Sequence, residues 1–181
     1  MPKLWNDTIA THREAVRDAV LDAAAAIVAE RGLTGVTMAE VAHRAGVGRA
    51  TLYKYFADAD SILTAWHQRQ VASHLQQLDD VWERTHRIDD VLEAYAFICH
   101  EHPPSGPAAS LHRAQHVDRA RGHLISFIAE RLGDVRADVP PKELATYCVH
   151  ALGAAGAVPS KAAVRRLVAV TLAGLRGESP R

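Results

Sequence analysis

The chain has 181 residues, 48% of them hydrophobic, and its 21 Lys and Arg residues balance its 21 Asp and Glu residues. The balanced charge excludes a generally basic protein that coats nucleic acid, and the apolar content suffices for one compact unit or two small ones. No apolar run approaches the roughly 18 residues of a membrane-spanning helix, and residues 1–6 precede no signal-peptide core. We therefore expect a cytoplasmic protein whose Cys99 and Cys148 are reduced thiols.

The first predicted helix extends from Thr11 to Gly32. Thr11 and Glu14 have the spacing of a capping box, in which each side chain accepts a hydrogen bond from the backbone N–H of the other residue. Gly32 is a typical helix stop.

The second predicted helix has three start signals that agree. Thr37 is a suitable N-cap, Glu40 stands where it would complete a capping box, and Val36 and Val41 have the spacing of a hydrophobic staple. The helix should end at Gly46, because glycine readily adopts the positive φ of a sharp turn.

A third helix should follow almost at once and extend to Phe56. Leu52 and Phe56 lie four residues apart and predict its buried face. The rest of its surface carries hydroxyl, aromatic and basic side chains, namely Arg49, Thr51, Tyr53, Lys54 and Tyr55. Residues 37–56 thus have the organisation of a helix-turn-helix, whose second helix enters the major groove of DNA.

Positive charge is concentrated in the same segment. Residues 41–56 contain Arg44, Arg49 and Lys54 and no acidic residue, so they can attract phosphate groups. The Thr and Tyr hydroxyls add neutral donors for phosphates or base edges. From these residues alone, the alternative to a DNA-binding helix-turn-helix is an ordinary helical hairpin with a solvated basic face.

The remaining chain also reads as helices, and no segment has the sustained alternation of a strand. A fourth helix is predicted from about Asp60 to the region of Trp82. Further helices are predicted at about 88–100, 108–117, 118–133 and 141–153. Pro103, Pro104 and Gly106 separate the first two of them, and Pro140 and Pro141 start the last. The predicted fold class is all-α.

The last predicted helix follows Ser160, a candidate N-cap, and has a regular apolar stripe. The stripe consists of Val164, Leu167, Val168, Thr171, Leu172 and Leu175, and the preceding helix has a matching stripe of Leu144, Tyr147, Cys148 and Leu152. Both stripes either close the core of this chain or meet a second copy.

Taken in order, the residues of the helix-turn-helix resemble the DNA-binding domain of the TetR (TetR/AcrR) family. The matching residues are Thr37, Val41-Ala42, Ala45-Gly46-Val47, Thr51-Leu52-Tyr53 and Tyr55-Phe56. The similarity continues upstream to Gly32 and downstream through residues 58–63. The resemblance implies an N-terminal three-helix helix-turn-helix domain at residues 12–72 and a C-terminal helical effector-binding and dimerisation domain at residues 73–178.

The resemblance further implies a DNA-binding transcriptional regulator without enzymatic activity or cofactor, acting as a repressor that a small-molecule effector releases from its operator. It implies a homodimer through the last two helices, because a pseudo-palindromic double-stranded operator is read by two recognition helices. The DNA-binding residues it indicates are Thr37, Arg44, Gly48, Arg49, Ala50, Thr51, Tyr53, Lys54 and Tyr55.

Two positions depart from the family pattern. Gly48 replaces the usual Ser or Thr, which caps the recognition helix and can touch phosphate, and Ala59 replaces a frequent Lys. We therefore expect fewer phosphate contacts than in a typical member and a weaker dependence of affinity on salt.

The middle helices are the expected place of the effector pocket. Aromatic and polar side chains that could line it are Trp82, Tyr95, Cys99, His123, Phe127 and Tyr147. Most aromatic residues at helical spacing belong to the core, so only some of these should contact a ligand.

Histidines suggest a rival effector, a divalent metal. The chain has 11 His residues, and His112 and His116 lie four apart, so both could project from one helix face. No Cys-x-x-Cys or carboxylate completes a ligand set, so solvated surface histidines are the alternative. A Cys/His enzyme is a further alternative, although the sequence contains no recognisable catalytic motif.

Overall fold

Helices are the regular elements of the computed structural model, which describes residues 3–102, 115–133 and 135–176 and the side chains of 11–102, 117–133 and 135–176. Across these residues there is no strand, so the all-α prediction is confirmed. The helices are α1 (Lys3–Arg31), α2 (Met38–Arg44), α3 (Arg49–Leu52), α4 (Ala59–Thr85), α5 (Ile88–Glu101), α6 (Gln115–Arg131), α7 (Pro141–Gly153) and α8 (Lys161–Arg176). Short 3₁₀ turns occupy Leu33–Gly35 and Ala154–Ala157.

The chain forms two compact units that divide between Gln70 and Val71. The division falls inside α4, so this one continuous helix contributes residues to both units.

The first unit contains α1, α2, α3 and the start of α4. Its core is formed by side chains that are completely buried, namely Val20, Ala24, Ile27, Val41, Leu52 and Ile62. Leu52 and Phe56 are both buried, as their spacing predicts, so the opposite surface of α3 is left for other contacts.

The second unit contains the rest of α4 and the helices α5 to α8. In it α5 packs against α7 and α8, and α6 packs against α7. The largest fully buried side chains of its core include Leu92, Ile128, Leu152 and Val164.

Two predicted helix boundaries outside the helix-turn-helix were wrong. The first helix begins at Lys3, so Thr11 and Glu14 lie inside it rather than at its start. No Pro or Gly occurs between Lys3 and Arg31, so nothing interrupts the backbone hydrogen bonds, and a capping sequence is only a local preference.

The break predicted between Val117 and Asp118 does not exist, because α6 is continuous from Gln115 to Arg131. Acidic residues are favourable inside the first turn of a helix as well as before it, and Asp118 occupies that turn. The rest of the helix predicted at 108–117 lies outside the described residues.

The apolar stripe of α8 closes the core of the second unit. Val164, Val168, Thr171 and Leu175 are buried, and the Thr171 hydroxyl donates to the Leu167 carbonyl at 2.9 Å. On α7, Leu144, Cys148 and Leu152 are likewise buried, whereas Tyr147 is 44% exposed. Most of both stripes is thus used within this chain.

Two further predictions for the second unit are confirmed. Pro141 is the first residue of α7, and Ser160 caps α8 by accepting a hydrogen bond from the Ala163 N–H at 3.3 Å. None of the described helices combines the length and apolarity that crossing a membrane requires.

Candidate nucleic-acid interface

The turn between α2 and α3 is held by backbone hydrogen bonds. The Val47 N–H donates to the Ala42 carbonyl at 3.0 Å, and the Gly46 N–H donates to the His43 carbonyl at 3.3 Å. This pair of bonds is a Schellman motif, which requires a left-handed residue at its fifth position. Gly46 has φ 66°, so the glycine predicted to end α2 supplies that conformation.

The start of α2 follows the predicted cap. The Thr37 hydroxyl accepts a hydrogen bond from the Glu40 N–H at 3.2 Å. The Glu40 carboxylate, however, lies against Arg44 and Arg31 instead of reaching back to the Thr37 N–H, so only half of the capping box forms. Thr37 is exposed and remains available to a phosphate.

Gly48 is the N-cap of α3. Its backbone is extended, with φ −67° and ψ 144°, and its carbonyl accepts from the Leu52 N–H at 2.9 Å. No side chain caps this helix. The first backbone N–H groups of α3 therefore have no side-chain acceptor, which is the consequence expected from glycine at this position.

The α-helical part of α3 is shorter than predicted. It ends at Leu52, and residues 53–55 continue as turns in which the Lys54 N–H donates to the Thr51 carbonyl at 3.0 Å. Bonds of this i to i+3 type tighten the end of the helix. Arg49, Ala50, Tyr53 and Lys54 are exposed, and Tyr53 is 57% exposed.

Thr51 and Tyr55, the other two predicted contacts on this segment, are half-buried. Three residues of the predicted reading surface, Arg49, Tyr53 and Lys54, are thus exposed, and their contacts with DNA stay a prediction.

Arg44 has a different environment from the other two basic residues. Its Nη1 and Nη2 donate to the two Glu30 carboxylate oxygens at 2.7 and 2.5 Å, and its Nε donates to Glu40 Oε1 at 3.2 Å. The hydrogen bond from Arg44 lowers the pKa of Glu30 and raises that of Arg44 itself. Arg44 therefore joins α2 to the end of α1.

Arg49 and Lys54 are the cations of this segment that remain unpaired among the described residues. Residues 41–56 predict a local excess of three positive charges. Pairing of Arg44 with Glu30 and Glu40, which both precede this segment, reduces the excess to two. A sequence window cannot include Glu30, which is 14 residues away from Arg44.

Arg17 is a candidate that the sequence reasoning missed. Its guanidinium carbon lies 5.2 Å from the centroid of the Phe56 ring, at the end of the α3 segment. The side chain is exposed, and the described residues place no carboxylate in an ion pair with it. A cation on α1 thus stands beside the reading segment, a neighbourhood that no local pattern in the sequence indicates.

Among the described residues of the second unit, a shallow groove with a volume of about 340 Å³ lies between α4 and α6. Its lining residues are Ala72, Leu75, Gln76, Leu78, Asp79, His123, Leu124 and Phe127. Two of the six predicted pocket residues, His123 and Phe127, are therefore together in it.

The other four predicted pocket residues lie elsewhere. Trp82 and Phe127 are bridged by the Arg131 guanidinium, whose carbon is 5.3 and 3.8 Å from the respective ring centroids. Tyr95 and Cys99 pack against the core, and the Tyr95 hydroxyl donates to the Val149 carbonyl at 3.4 Å.

Tyr147 is on the outward side of α7, next to Gly174 of α8. A Cβ added at Gly174 would lie 3.1 Å from the Tyr147 hydroxyl oxygen. The absence of a side chain at Gly174 thus allows the phenol to lie close to the α8 backbone, outside the α4/α6 groove.

The two thiols are poor nucleophiles in this structure. Burial raises the pKa of Cys148 to about 11 and also raises the pKa of Cys99. Because the thiolate is the reactive form, a raised pKa disfavours the Cys/His enzyme alternative.

The described residues also contain no group of three His, Cys, Asp or Glu side chains arranged to hold a metal. His112, and the side chain of His116, lie outside the described part of the chain.

The first unit, with its capped turn and outward basic face, defines a helix-turn-helix DNA-binding domain. Residues 20–65 match the sequence pattern of the family described as bacterial regulatory proteins, tetR family. These residues include α2, α3, the end of α1 and the start of α4. Residues 20–65 thus have the sequence pattern of a TetR-family DNA-binding domain.

Relatives share this domain most clearly. An uncharacterised HTH-type transcriptional regulator of Mycobacterium bovis is 39% identical over 59 residues, covering 33% of this chain and 31% of that protein. The HTH-type transcriptional regulator BetI of Burkholderia thailandensis is 29% identical over 140 residues, covering 77% of this chain and 53% of BetI. The matches thus span about a third to a half of these relatives.

The fold is shared over a longer part of the chain. The crystal structure of a TetR-family transcriptional regulator from Pectobacterium atrosepticum matches with a TM-score of 0.74 at 21% identity, covering 94% of this chain and 98% of that one. At this identity the match shows a common fold.

Proposed function

We propose that the protein is a dimeric, ligand-responsive repressor that binds a pseudo-palindromic operator in cytoplasmic DNA. The observation that carries the proposal is the outward face of α3, where Arg49, Tyr53 and Lys54 are exposed beside a turn held by Gly46. Unpaired cations attract phosphates, and a rigid turn holds neighbouring side chains in one orientation toward the bases.

The proposed DNA contacts are of three kinds. Arg49 and Lys54 supply charge to phosphates or to guanine edges, while Thr51, Tyr53 and Tyr55 supply hydroxyl groups and apolar surface. Thr37, Gly48 and Ala50 contribute their backbone or short side chains near the phosphates, and Arg44 positions α2 through Glu30.

The proposed dimer uses the outward sides of α7 and α8. Tyr147 is 44% exposed and Val170 is 66% exposed, and both are large apolar side chains on the last two helices. Two copies related by a two-fold axis would place two α3 segments in successive major grooves, about 34 Å apart.

The proposed effector site is in the second unit, and α4 is the element that belongs to both units. A ligand that prefers one position of α4 would change the spacing of the two DNA-reading segments. It can shift this equilibrium only by the difference between its affinities for the two conformers.

A mobility-shift titration with the DNA around the protein's own gene tests the proposal. Arg49→Ala and Tyr53→Ala should each weaken specific binding, because the exposed face of α3 loses a contact. Arg119→Ala is the matched control, since Arg119 is an exposed cation of α6 in the second unit. Equal operator affinity for all three variants and the wild type would contradict the proposal.

A further inference from the structure

The face of α1 that forms part of the core of the first unit continues toward the N-terminus as two arginines. Val20, Ala24 and Ile27 are completely buried and recur with the three- and four-residue spacing of one helix face. Arg17 and Arg13 continue this spacing toward the start of the helix. Both arginines are exposed, so this face of α1 extends past the buried core as a pair of cations.

The position of Arg17 shows which part of the unit the arginine pair adjoins. Its guanidinium carbon is 5.2 Å from the centroid of the Phe56 ring, and this buried ring lies at the end of the α3 segment. An aromatic ring attracts a cation but does not neutralise it, so Arg17 keeps its charge beside the proposed DNA-reading surface. Arg13 lies four residues earlier on the same face of α1.

Two acids of α1 face a different helix. Arg69 of α4 lies with its Nη1 3.7 Å from Asp18 Oδ1, and its Nη2 donates to Asp22 Oδ1 at 2.6 Å. Glu14 is exposed and is turned about 100° around the helix from Arg13. Among the described side chains neither arginine of the pair has a carboxylate at ion-pair distance. The first half of α1 thus separates its charges, with acids toward α4 and arginines toward the α3 segment.

We propose that Arg13 and Arg17 form a second phosphate-binding element, which holds the DNA backbone beside the part that the α3 segment reads. A guanidinium group binds phosphate oxygens through two parallel N–H donors, and here no ion pair has to break first. Phosphate contacts carry no base information, so the pair would supply affinity and orientation without specificity. The inference rests on the proposed function, because it requires the first unit to bind DNA.

A salt titration with a DNA duplex of unrelated sequence tests the contact, since phosphate binding does not need the operator. Fluorescence anisotropy of a labelled duplex measures affinity for the full chain at several salt concentrations. Arg13→Gln and Arg17→Gln should each reduce the slope of log affinity against log salt by about 1, and the double variant by about 2. Arg119→Gln removes an exposed cation of α6 and should keep the wild-type slope. An unchanged slope in the double variant overturns the proposal.

Arg17→Lys separates the charge of Arg17 from its packing on Phe56. Lysine keeps the positive charge but lacks the planar group that stacks on the ring, so this variant should retain most of the salt slope that Arg17→Gln loses. Urea unfolding of both variants measures what the packing contributes to stability. Equal loss of slope in Arg17→Lys and Arg17→Gln would assign Arg17 to the support of Phe56 and contradict a phosphate contact.

Operator binding distinguishes this inference from the proposed function. The double variant of Arg13 and Arg17 should weaken binding to the DNA around the protein's own gene and to the unrelated duplex by similar factors. Loss of operator binding in Arg49→Ala, with wild-type affinity in the double variant, keeps the DNA-binding function and overturns the contact from α1. A wild-type chain that binds neither duplex overturns both.

Discussion

The Arg44 guanidinium and the Glu30 carboxylate form a two-pronged ion pair, with N to O distances of 2.7 and 2.5 Å. The planar fork of arginine fits the two carboxylate oxygens, so the pair fixes orientation as well as distance. It joins α2 to the C-terminal end of α1. A basic residue of the helix-turn-helix thus supports the scaffold that presents the DNA-reading surface.

Removing Glu30 should make the first unit less stable in a pH-dependent way. The hydrogen bond from Arg44 lowers the pKa of Glu30 below its ordinary value of 4.5. A lowered folded-state pKa gives stability that is present above 4.5 and is lost as the pH falls through the folded-state pKa. Glu30→Gln should therefore lower the urea midpoint at pH 7, with a difference from wild type that shrinks below the ordinary pKa.

The measurement is urea unfolding of wild type and Glu30→Gln across this pH range. Glu14→Gln is the control, because Glu14 is an exposed acid of the same helix. A difference that grows as the solution becomes more acidic would contradict the role of the ion pair.

Salt dependence should distinguish the two kinds of basic residue. Arg49→Gln and Lys54→Gln should each reduce the slope of log affinity against log salt by about 1, because each removes one phosphate contact. Arg44→Gln should weaken the fold but leave that slope nearly unchanged, since its guanidinium is already paired. Operator titrations at several salt concentrations measure the three slopes, and a full unit lost in Arg44→Gln would assign Arg44 to a phosphate.

A hydroxyl at position 48 should restore the missing cap of α3. Gly48 has an extended backbone, and an added Cβ would meet Thr51 Oγ1 at 3.8 Å, an ordinary contact distance. Gly48→Ser should stabilise the unit by about 0.3 kcal/mol and tighten operator binding, because serine caps the helix and adds a donor.

Gly48→Ala is the control for the added side chain. It should cost roughly 0.5 kcal/mol, since alanine is a poorer N-cap than glycine. Denaturant unfolding and operator titration of both variants give the comparison, and a Ser variant that behaves like the Ala variant would rule out the capping explanation.

A charge on the outward side of α8 should separate the proposed dimer. Val170 is 66% exposed, so Val170→Asp should not disturb the core of its own unit. It should convert a dimer at micromolar concentration into a monomer, because a desolvated carboxylate opposes association. Sedimentation velocity measures this, with Ser126→Asp at an exposed position of α6 as control. An unchanged dimer would place the interface elsewhere.

Local signals in the sequence determined the helix-turn-helix. The Thr37 cap, the Gly46 turn and the burial of Leu52 and Phe56 depend on residues within about one or two helical turns, so spacing alone predicts them. The all-α class follows in the same way from periodicity and from the positions of Pro and Gly. The resemblance of this domain to the TetR family could also be recognised, because the matching residues occur in order within one continuous segment.

The tertiary structure decided which of the candidate residues are already used inside the chain. Arg44 forms an ion pair with Glu30 of α1, and most residues of the apolar stripe of α8 are buried in the core of the second unit. Tyr147 lies outside the groove that His123 and Phe127 line, and Asp79 lies within it. These outcomes depend on contacts between helices that are distant in sequence, where the periodicity of one helix identifies an apolar face but not the surface that covers it.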